Sequence, residues 1–286
     1  MAISGNKPKV TDGRAGQQVD TSKLGDDLLE VLSRDSDRTI SAELKPVQPK
    51  LTAEKIGTLG IKEKVASFTT NFTGGLGSPR SQNIVTIAKD VDGTVVLPGE
   101  TFSLNGHTGE RGYAQGYRDA PVILDGKLVP GVGGGTSQFT TTLFNAIYYA
   151  GLEDVEHKPH SYYFSRYPAV IESTIFWPNL DFKFRNNTDH GVLIDTSYTG
   201  NSITVSIWGT KIWDSVKTEY SPRRNITSPK TVYLEPGPSC IPANGSQGFT
   251  QDAFRVIKKD GNVVKREKFS WTYAAEPRFI CAKQPS

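Results

Sequence analysis

An α+β fold is predicted for this chain: a central mixed domain in which one main helix packs on antiparallel strands, and a β-rich C-terminal module. Three features carry the expectation. Apolar Phe139, Leu143, Ala146, Ile147 and Ala150 recur at helical spacing, and Gly151 stands where a helix would stop in the left-handed conformation. The runs LDFKFRN, GVLIDTSY and SITVSIWGT that follow are alternating, strand-like segments. Near the C-terminus, Asp260-Gly261 sits between two further strand-like runs as a hairpin signal. With 286 residues, 36% hydrophobic and 10% aromatic, the chain can bury a real core and divide into two or three units. The divisions read from pattern are residues 1–64, 65–200 and 201–286.

The elements follow in order. Residues 20–34, DTSKLGDDLLEVLSR, put Leu24, Leu28, Val31 and Leu32 on one helical face after a capping signal, and ISAEL then alternates as a strand. The polar, glycine-rich TGGLGSPRSQ leads to a helix over Ile84–Asp90, and VDGTVVLPGETFSL reads as a turn with strands. Glycine and proline density between residues 98 and 135 implies many tight turns. Thr199-Gly200-Asn201 joins two of the later strands, and the lysines and arginines of AFRVIKKDGNVVKREKFSWTY form the solvated face of the last hairpin. No fixed-period repeat is present.

The stretch from Gly131 to His160 concentrates the candidate chemistry. Gly133, Gly134 and Gly135 run into the predicted helix, which puts Ser137 at or near its N-terminus. Free main-chain N–H groups and the positive end of the dipole converge there, and glycines let a ligand approach the backbone. That suits a nucleophile or an anion site. A plainer reading stands beside it, in which Thr136 or Ser137 caps the helix and the glycines form a turn. A phosphate loop is excluded, because no lysine follows the glycines.

A serine nucleophile needs an oriented base, and the histidines are His107, His157, His160 and His190. His160 is the choice, with a loop histidine beside Pro159 as its alternative. His157, His160 and Glu156 suggest a metal site only weakly, since Pro159 disrupts a shared helical face and Cys240 and Cys281 lie far downstream. No metal and no cofactor is expected. A net charge of +3 with intermixed signs, and no basic run interleaved with aromatics, argues against nucleic acid. No stretch is long and apolar enough to span a membrane, and no signal peptide is visible.

The segment from Thr101 to Pro168, which contains TFSLNGHTGERGYAQGYRDA and GVGGGTSQFTTTLFNAIYYAGLEDVEHKPH, resembles the core of a VanW domain. The resemblance begins near SFTTNF at residues 67–72 and runs through LDFKFRNNTDHGVLI at 180–194. PKVTDGRAGQQVD and the helix after it resemble the second half of a peptidoglycan-binding module, and the last segment resembles the β-rich tail of such proteins. This implies an extracellular protein of a bacterial envelope, associated with glycopeptide-resistance clusters by name and with peptidoglycan by its neighbouring modules. Many members of the family carry cysteine where this chain has Ser137, and for those a cross-linking transpeptidase activity has been proposed. A thiol of pKa about 8.5 is partly thiolate at neutral pH, whereas a serine hydroxyl is not and depends on its base.

The order of elements is also similar to transglutaminase and papain-like enzymes. By that analogy Ser137 is the nucleophile, His160 the base and Asp181 the residue that orients it, with Glu172 the rival for that role. Main-chain N–H groups near Ser137 and the Gln138 amide would stabilise an oxyanion. Asp181 has a structural alternative as the start of an edge strand. Arg111 and Arg118 offer guanidinium groups for the carboxylate of a peptide stem, or are simply solvated.

Two functions follow: acyl transfer on peptidoglycan stem peptides, or a non-catalytic module that binds stem peptide or glycan through the same cleft. The chain opens inside what resembles a module and Met1 is its only methionine, so an anchor or signal is expected to precede it in the full-length protein. Cys240 and Cys281 flank one C-terminal segment as a disulfide clamp would, worth roughly 4 kcal/mol in the chain-entropy account; two buried thiols are the alternative.

Overall fold

The computed structural model describes residues 1–5, 7–10, 15–49, 51–124, 127–238 and 240–284. The fold is α+β, and it forms two compact units: Val10–Thr58, and Met1–Lys9 together with Leu59–Ser286. In the smaller unit, strands Gly16–Val19 and Leu44–Val47 pair antiparallel, with helices α1 (Leu24–Leu32) and α2 (Ala53–Gly57). The strand expected at ISAEL therefore begins only at its last residue, because pairing starts where Leu44 meets Val19. On α1 the expected apolar face is largely open, with Val31 buried but Leu28 and Leu32 exposed. Residues 11–14 of PKVTDGRAGQQVD lie outside the described residues.

The larger unit is built on a four-stranded antiparallel sheet in the order Glu63–Asn71, Ser202–Gly209, Val192–Tyr198, Thr94–Val96. Its period-2 pattern sorts the side chains. Val192, Ile194, Ile203, Val205 and Ile207 join the main core, while Leu193 and Trp208 face a second cluster with Met1 and Ile3. The strand Ser202–Gly209, expected in the C-terminal module, is thus an inner strand of this sheet, and a division at residue 200 falls inside its hairpin.

Helix α3 spans Pro79–Val91, five residues earlier than the Ile84 start expected. Ser78 caps it by accepting from the Ser81 N–H at 3.2 Å, and Pro79 occupies the first turn, where a missing N–H costs nothing. After the short helix α4 (Leu104–Thr108), strands Asp119–Leu124 and Lys127–Val132 form a hairpin inside the region expected to be turns. Helix α5, Thr136–Ala150, follows and ends at Gly151 in the left-handed conformation (φ 74°) as expected. All of its residues except Ser137 and Tyr149 are buried.

The C-terminal part is β-rich. Strands Gly248–Lys259 and Asn262–Tyr273 form a long hairpin whose turn residues, Asp260 (φ 50°) and Gly261 (φ 76°), have the double positive φ of a two-residue connection. Ser215–Tyr220 and Arg224–Thr227 pair along the other edge of Gly248–Lys259. Cys240 and Cys281 are joined in a disulfide next to the parallel pair Thr231–Leu234 and Arg278–Cys281.

One buried arginine ties this hairpin to α5. Arg255, 1% exposed, donates to the Tyr148 carbonyl (3.3 Å) and the Leu152 carbonyl (2.9 Å) and pairs with Glu267. It thereby satisfies acceptors that a helix C-terminus leaves open and puts positive charge at the negative end of the dipole. Replacing Arg255 by Met is expected to lower stability by roughly 3 kcal/mol, since Glu267 keeps Lys265 but buried carbonyls lose their donor. Urea unfolding followed by tryptophan fluorescence measures this; a loss below about 1 kcal/mol contradicts the role.

Candidate functional site

The site is built around the N-terminal half of α5. Gly135 precedes the helix at φ 103°, which an L side chain rarely adopts, and a Cβ there would fall 2.8 Å from Cγ of Arg80. A Cβ on Gly134 would fall 2.4 Å from the Ala120 carbonyl oxygen. The close backbone approach that glycine permits is therefore used by the protein itself. Asn83 of α3, fully buried, fixes this turn: its amide donates to the Arg118 and Gly134 carbonyls and its oxygen accepts from the Arg118 N–H. Asn83 went unrecognised in the sequence because its partners lie 35 and 51 residues away.

Three polar residues on one face of α5, Ser137, Thr141 and Asn145, hold an extended segment. The Ile175 N–H donates to Ser137 Oγ (3.4 Å), Thr141 Oγ1 bonds both the N–H and the carbonyl of Ser173, and Asn145 Nδ2 donates to the Ile171 carbonyl (2.8 Å). Helix residues spaced by four thus meet segment residues spaced by two, running in opposite directions. The other edge of the segment pairs with the loop that carries His160, where the Thr174 N–H and Oγ1 both donate to the Lys158 carbonyl at 2.8 Å.

Between these rungs Glu172 points away from the helix. Its carboxylate, 0% exposed, accepts from His160 Nδ1 (2.7 Å) and from the Tyr273 hydroxyl (2.8 Å), which in turn accepts from the Val170 N–H (2.8 Å). Burial pushes the Tyr273 phenol well above its ordinary range, so it stays a donor. The Trp271 indole N–H donates to the His160 carbonyl, which adds a second tie from the C-terminal hairpin. The imidazole stacks on Tyr167 (5.5 Å between centroids) and meets Phe164 edge-on. The bond to Glu172 puts a proton on Nδ1 and orients the ring.

The sequence candidates separate accordingly. Of the two acids, Glu172 backs His160. Asp181 instead accepts from Ser103 Oγ (2.6 Å), the Asn105 N–H (2.8 Å) and the Phe182 N–H (2.7 Å), fastening the start of α4. Ser137 and His160 are not brought together, because the segment 171–175 runs between them and binds Ser137 on one edge and the His160 loop on the other. Among the described residues no hydrogen bond joins the two.

The proposed binding groups fare similarly. Gln138, fully buried, donates to Thr70 Oγ1 (3.0 Å) and the Asn71 carbonyl (2.9 Å), so its amide holds a strand instead of facing an oxyanion. Arg111 is buried, with its guanidinium on Asn105 Oδ1 (2.8 Å) and Thr108 Oγ1 (3.0 Å), and burial lowers its pKa. Arg118 is exposed and donates to its neighbour's carbonyl, that of Tyr117. His157 pairs with Asp154 (2.6 Å) and Glu156 with Lys183 (2.7 Å). Two arginines pack at the glycine turn, Arg111 against Gly133 and Arg80, which no sequence signal singled out, against Gly135.

Removing the rungs tests this arrangement. Asn145→Leu is expected to cost about 2–3 kcal/mol, because the Ile171 carbonyl loses its buried donor. Ser137→Ala is expected to cost less than about 1 kcal/mol, its bond being long and half-exposed. Denaturant unfolding ranks the two, and hydrogen exchange at the Ile175 amide reports opening of the Ser137 rung; equal losses for both variants contradict the ladder.

Comparison with known proteins follows the same core. Residues 79–208 match the family model described as VanW like protein. The uncharacterized protein YoaR of Bacillus subtilis (strain 168) is 33% identical over 189 residues, covering 66% of this chain and 61% of that protein. The vancomycin B-type resistance protein VanW of Enterococcus faecalis (strain ATCC 700802 / V583) is 28% identical over 114 residues, 37% of this chain and 41% of that protein. The chain thus spans less than two thirds of the length of either relative, and no solved structure matches it. The family match runs from the first residue of α3 to Trp208 of the inner strand, so that this helix-on-sheet core, residues 79–208, is a VanW-like domain.

Proposed function

We propose that this protein acts at the bacterial cell envelope as a module that binds peptidoglycan stem peptides without transferring them. The observation that carries this reading is the separation of the serine from its base. Ser137 Oγ is an acceptor for the Ile175 N–H on one edge of segment 171–175, and the His160 loop lies on the other. A serine hydroxyl with no base in hydrogen-bond reach is not activated. The envelope location is supported by the resemblance to a family found in glycopeptide-resistance clusters and beside peptidoglycan-binding modules. The Cys240–Cys281 disulfide is consistent with an oxidising compartment outside the cytoplasm. A membrane anchor on the full-length protein belongs to the same proposal.

The His160–Glu172 pair favours a second reading, acyl transfer with Ser137 as nucleophile. A carboxylate-backed imidazole is the arrangement a general base needs. That reading requires segment 171–175 to swing aside so that Nε2 reaches the hydroxyl.

Mass spectrometry after incubation with purified peptidoglycan fragments separates the two, run on the wild type, Ser137→Ala and Ser137→Cys. The expected result is no covalent adduct on the wild type and retention of fragments by all three proteins, with affinities within about threefold of one another. An adduct or a new cross-linked product that disappears in Ser137→Ala overturns the binding reading in favour of acyl transfer.

A further inference from the structure

We propose that Arg80, Arg166 and the Tyr167 hydroxyl form an oxyanion-binding subsite beside the glycine turn, and that its ligand is the carboxylate of a peptide. The subsite stands on the geometry; the choice of a peptide carboxylate rests on the stem-peptide reading above.

Arg80 leaves the first turn of α3 and lies over Gly135, where a Cβ would come 2.8 Å from its Cγ and 3.0 Å from its carbonyl oxygen. The bare backbone at residue 135 is what lets this stem through. Arg166 lies with its guanidinium carbon 5.0 Å from the Tyr167 ring centroid and 4.7 Å from that of Phe164. Tyr167 itself is held against His160. Both arginines are thus held by packing before any ligand arrives, which reduces the ordering a ligand must impose.

Their charges are not answered. Arg255, Arg224 and Arg266 each meet a carboxylate. Among the described residues neither Arg80 nor Arg166 makes an ion pair. The groups that act on Arg80 are Tyr167 and the like charge of Arg166, and its pKa is lowered, first by burial and then by Arg166. Arginine does not shed its proton in response, so the unfavourable field persists until an anion enters. A guanidinium fork is matched by two coplanar oxygens, and a neighbouring phenol can donate to one of them.

The test is a titration of the whole chain, with the arginine Nε–Hε resonances followed by NMR, against N-acetyl-D-alanine, its C-terminal amide and inorganic phosphate. The acid is expected to shift the Arg80 and Arg166 signals saturably and the amide to leave them in place. Arg80→Gln and, independently, the exposed Arg166→Gln should each weaken the acid at least about tenfold. Arg166→Gln keeps the test open if the Arg80 variant is poorly folded. Equal shifts from acid and amide, or none from any probe, overturn the subsite, and tighter binding of phosphate overturns the assignment to carboxylate. Binding to intact sacculi is measured alongside. If N-acetyl-D-alanine binds and sacculi are not retained, the subsite stands and the peptidoglycan reading falls; if neither variant weakens the acid and both retain sacculi as the wild type does, the subsite falls and that reading stands.

Discussion

The coincidence of two step lengths organises this structure. Four residues of α-helix advance about 6 Å, and two residues of extended chain advance about 6.6 Å. Ser137, Thr141 and Asn145 can therefore act as an edge for residues 175, 173 and 171, although α5 has no free backbone donors in its middle to offer. Among the described residues no strand neighbours the segment on that side, and side chains of a buried helix replace one. Polar residues in such a helix would be costly without partners, each unpaired group being worth about 1–3 kcal/mol. Here they supply the pairing that lets an irregular segment be buried.

The same alternation decides what faces the site. With residues 171, 173 and 175 committed to the helix, Glu172 is turned toward His160 and Tyr273, and Thr174 toward Lys158. A slip of one residue would exchange the two sets and put the glutamate carboxylate against α5. The C-terminal hairpin depends on this register as well, because Tyr273 and Trp271 reach Glu172 and the His160 carbonyl. At the far end of α5, Arg255 of the same hairpin takes up the terminal carbonyls. The hairpin thus contacts the core at both the site and the helix end, and neither contact is a loose appendage to the VanW-like core.

Much of the fold was legible because local signals were strong and agreed. The apolar period of α5, its stop at Gly151 and the Asp260-Gly261 turn all stand in the structure as read. Helix α3 was read too short because Pro79 and its serine neighbours look like loop residues, whereas Ser78 is the cap and Pro79 the first turn. The hairpin Asp119–Leu124 with Lys127–Val132 was hidden by Pro121 and Pro130, which face each other across it. In the site, chain order found Ser137, His160 and Glu172 but had no means of ranking Glu172 over Asp181. Tyr273 lies 101 residues from Glu172, and Arg80 gains its place only from Gly135 and Tyr167; no local pattern announces either contact.

An oriented histidine with a buried carboxylate invites a catalytic interpretation, yet the fold supplies a structural need for it. Val170 is a β-branched residue at φ 70°, a conformation that costs about 1–3 kcal/mol and persists only where its surroundings enforce it. Its N–H is buried and is answered by the Tyr273 hydroxyl. That hydroxyl must in turn donate, and Glu172 accepts; the second carboxylate oxygen then needs a donor of its own, which His160 Nδ1 supplies. Each member of the chain is required by the one before it, starting from the strained residue that leads into segment 171–175. Ser137 likewise does for Ile175 what Thr141 does for Ser173. Ser137, His160 and Glu172 therefore each have a task in holding this segment, Asp181 has one at the start of α4, and the serine at position 137 serves its task with an oxygen acceptor stronger than a thiol would provide.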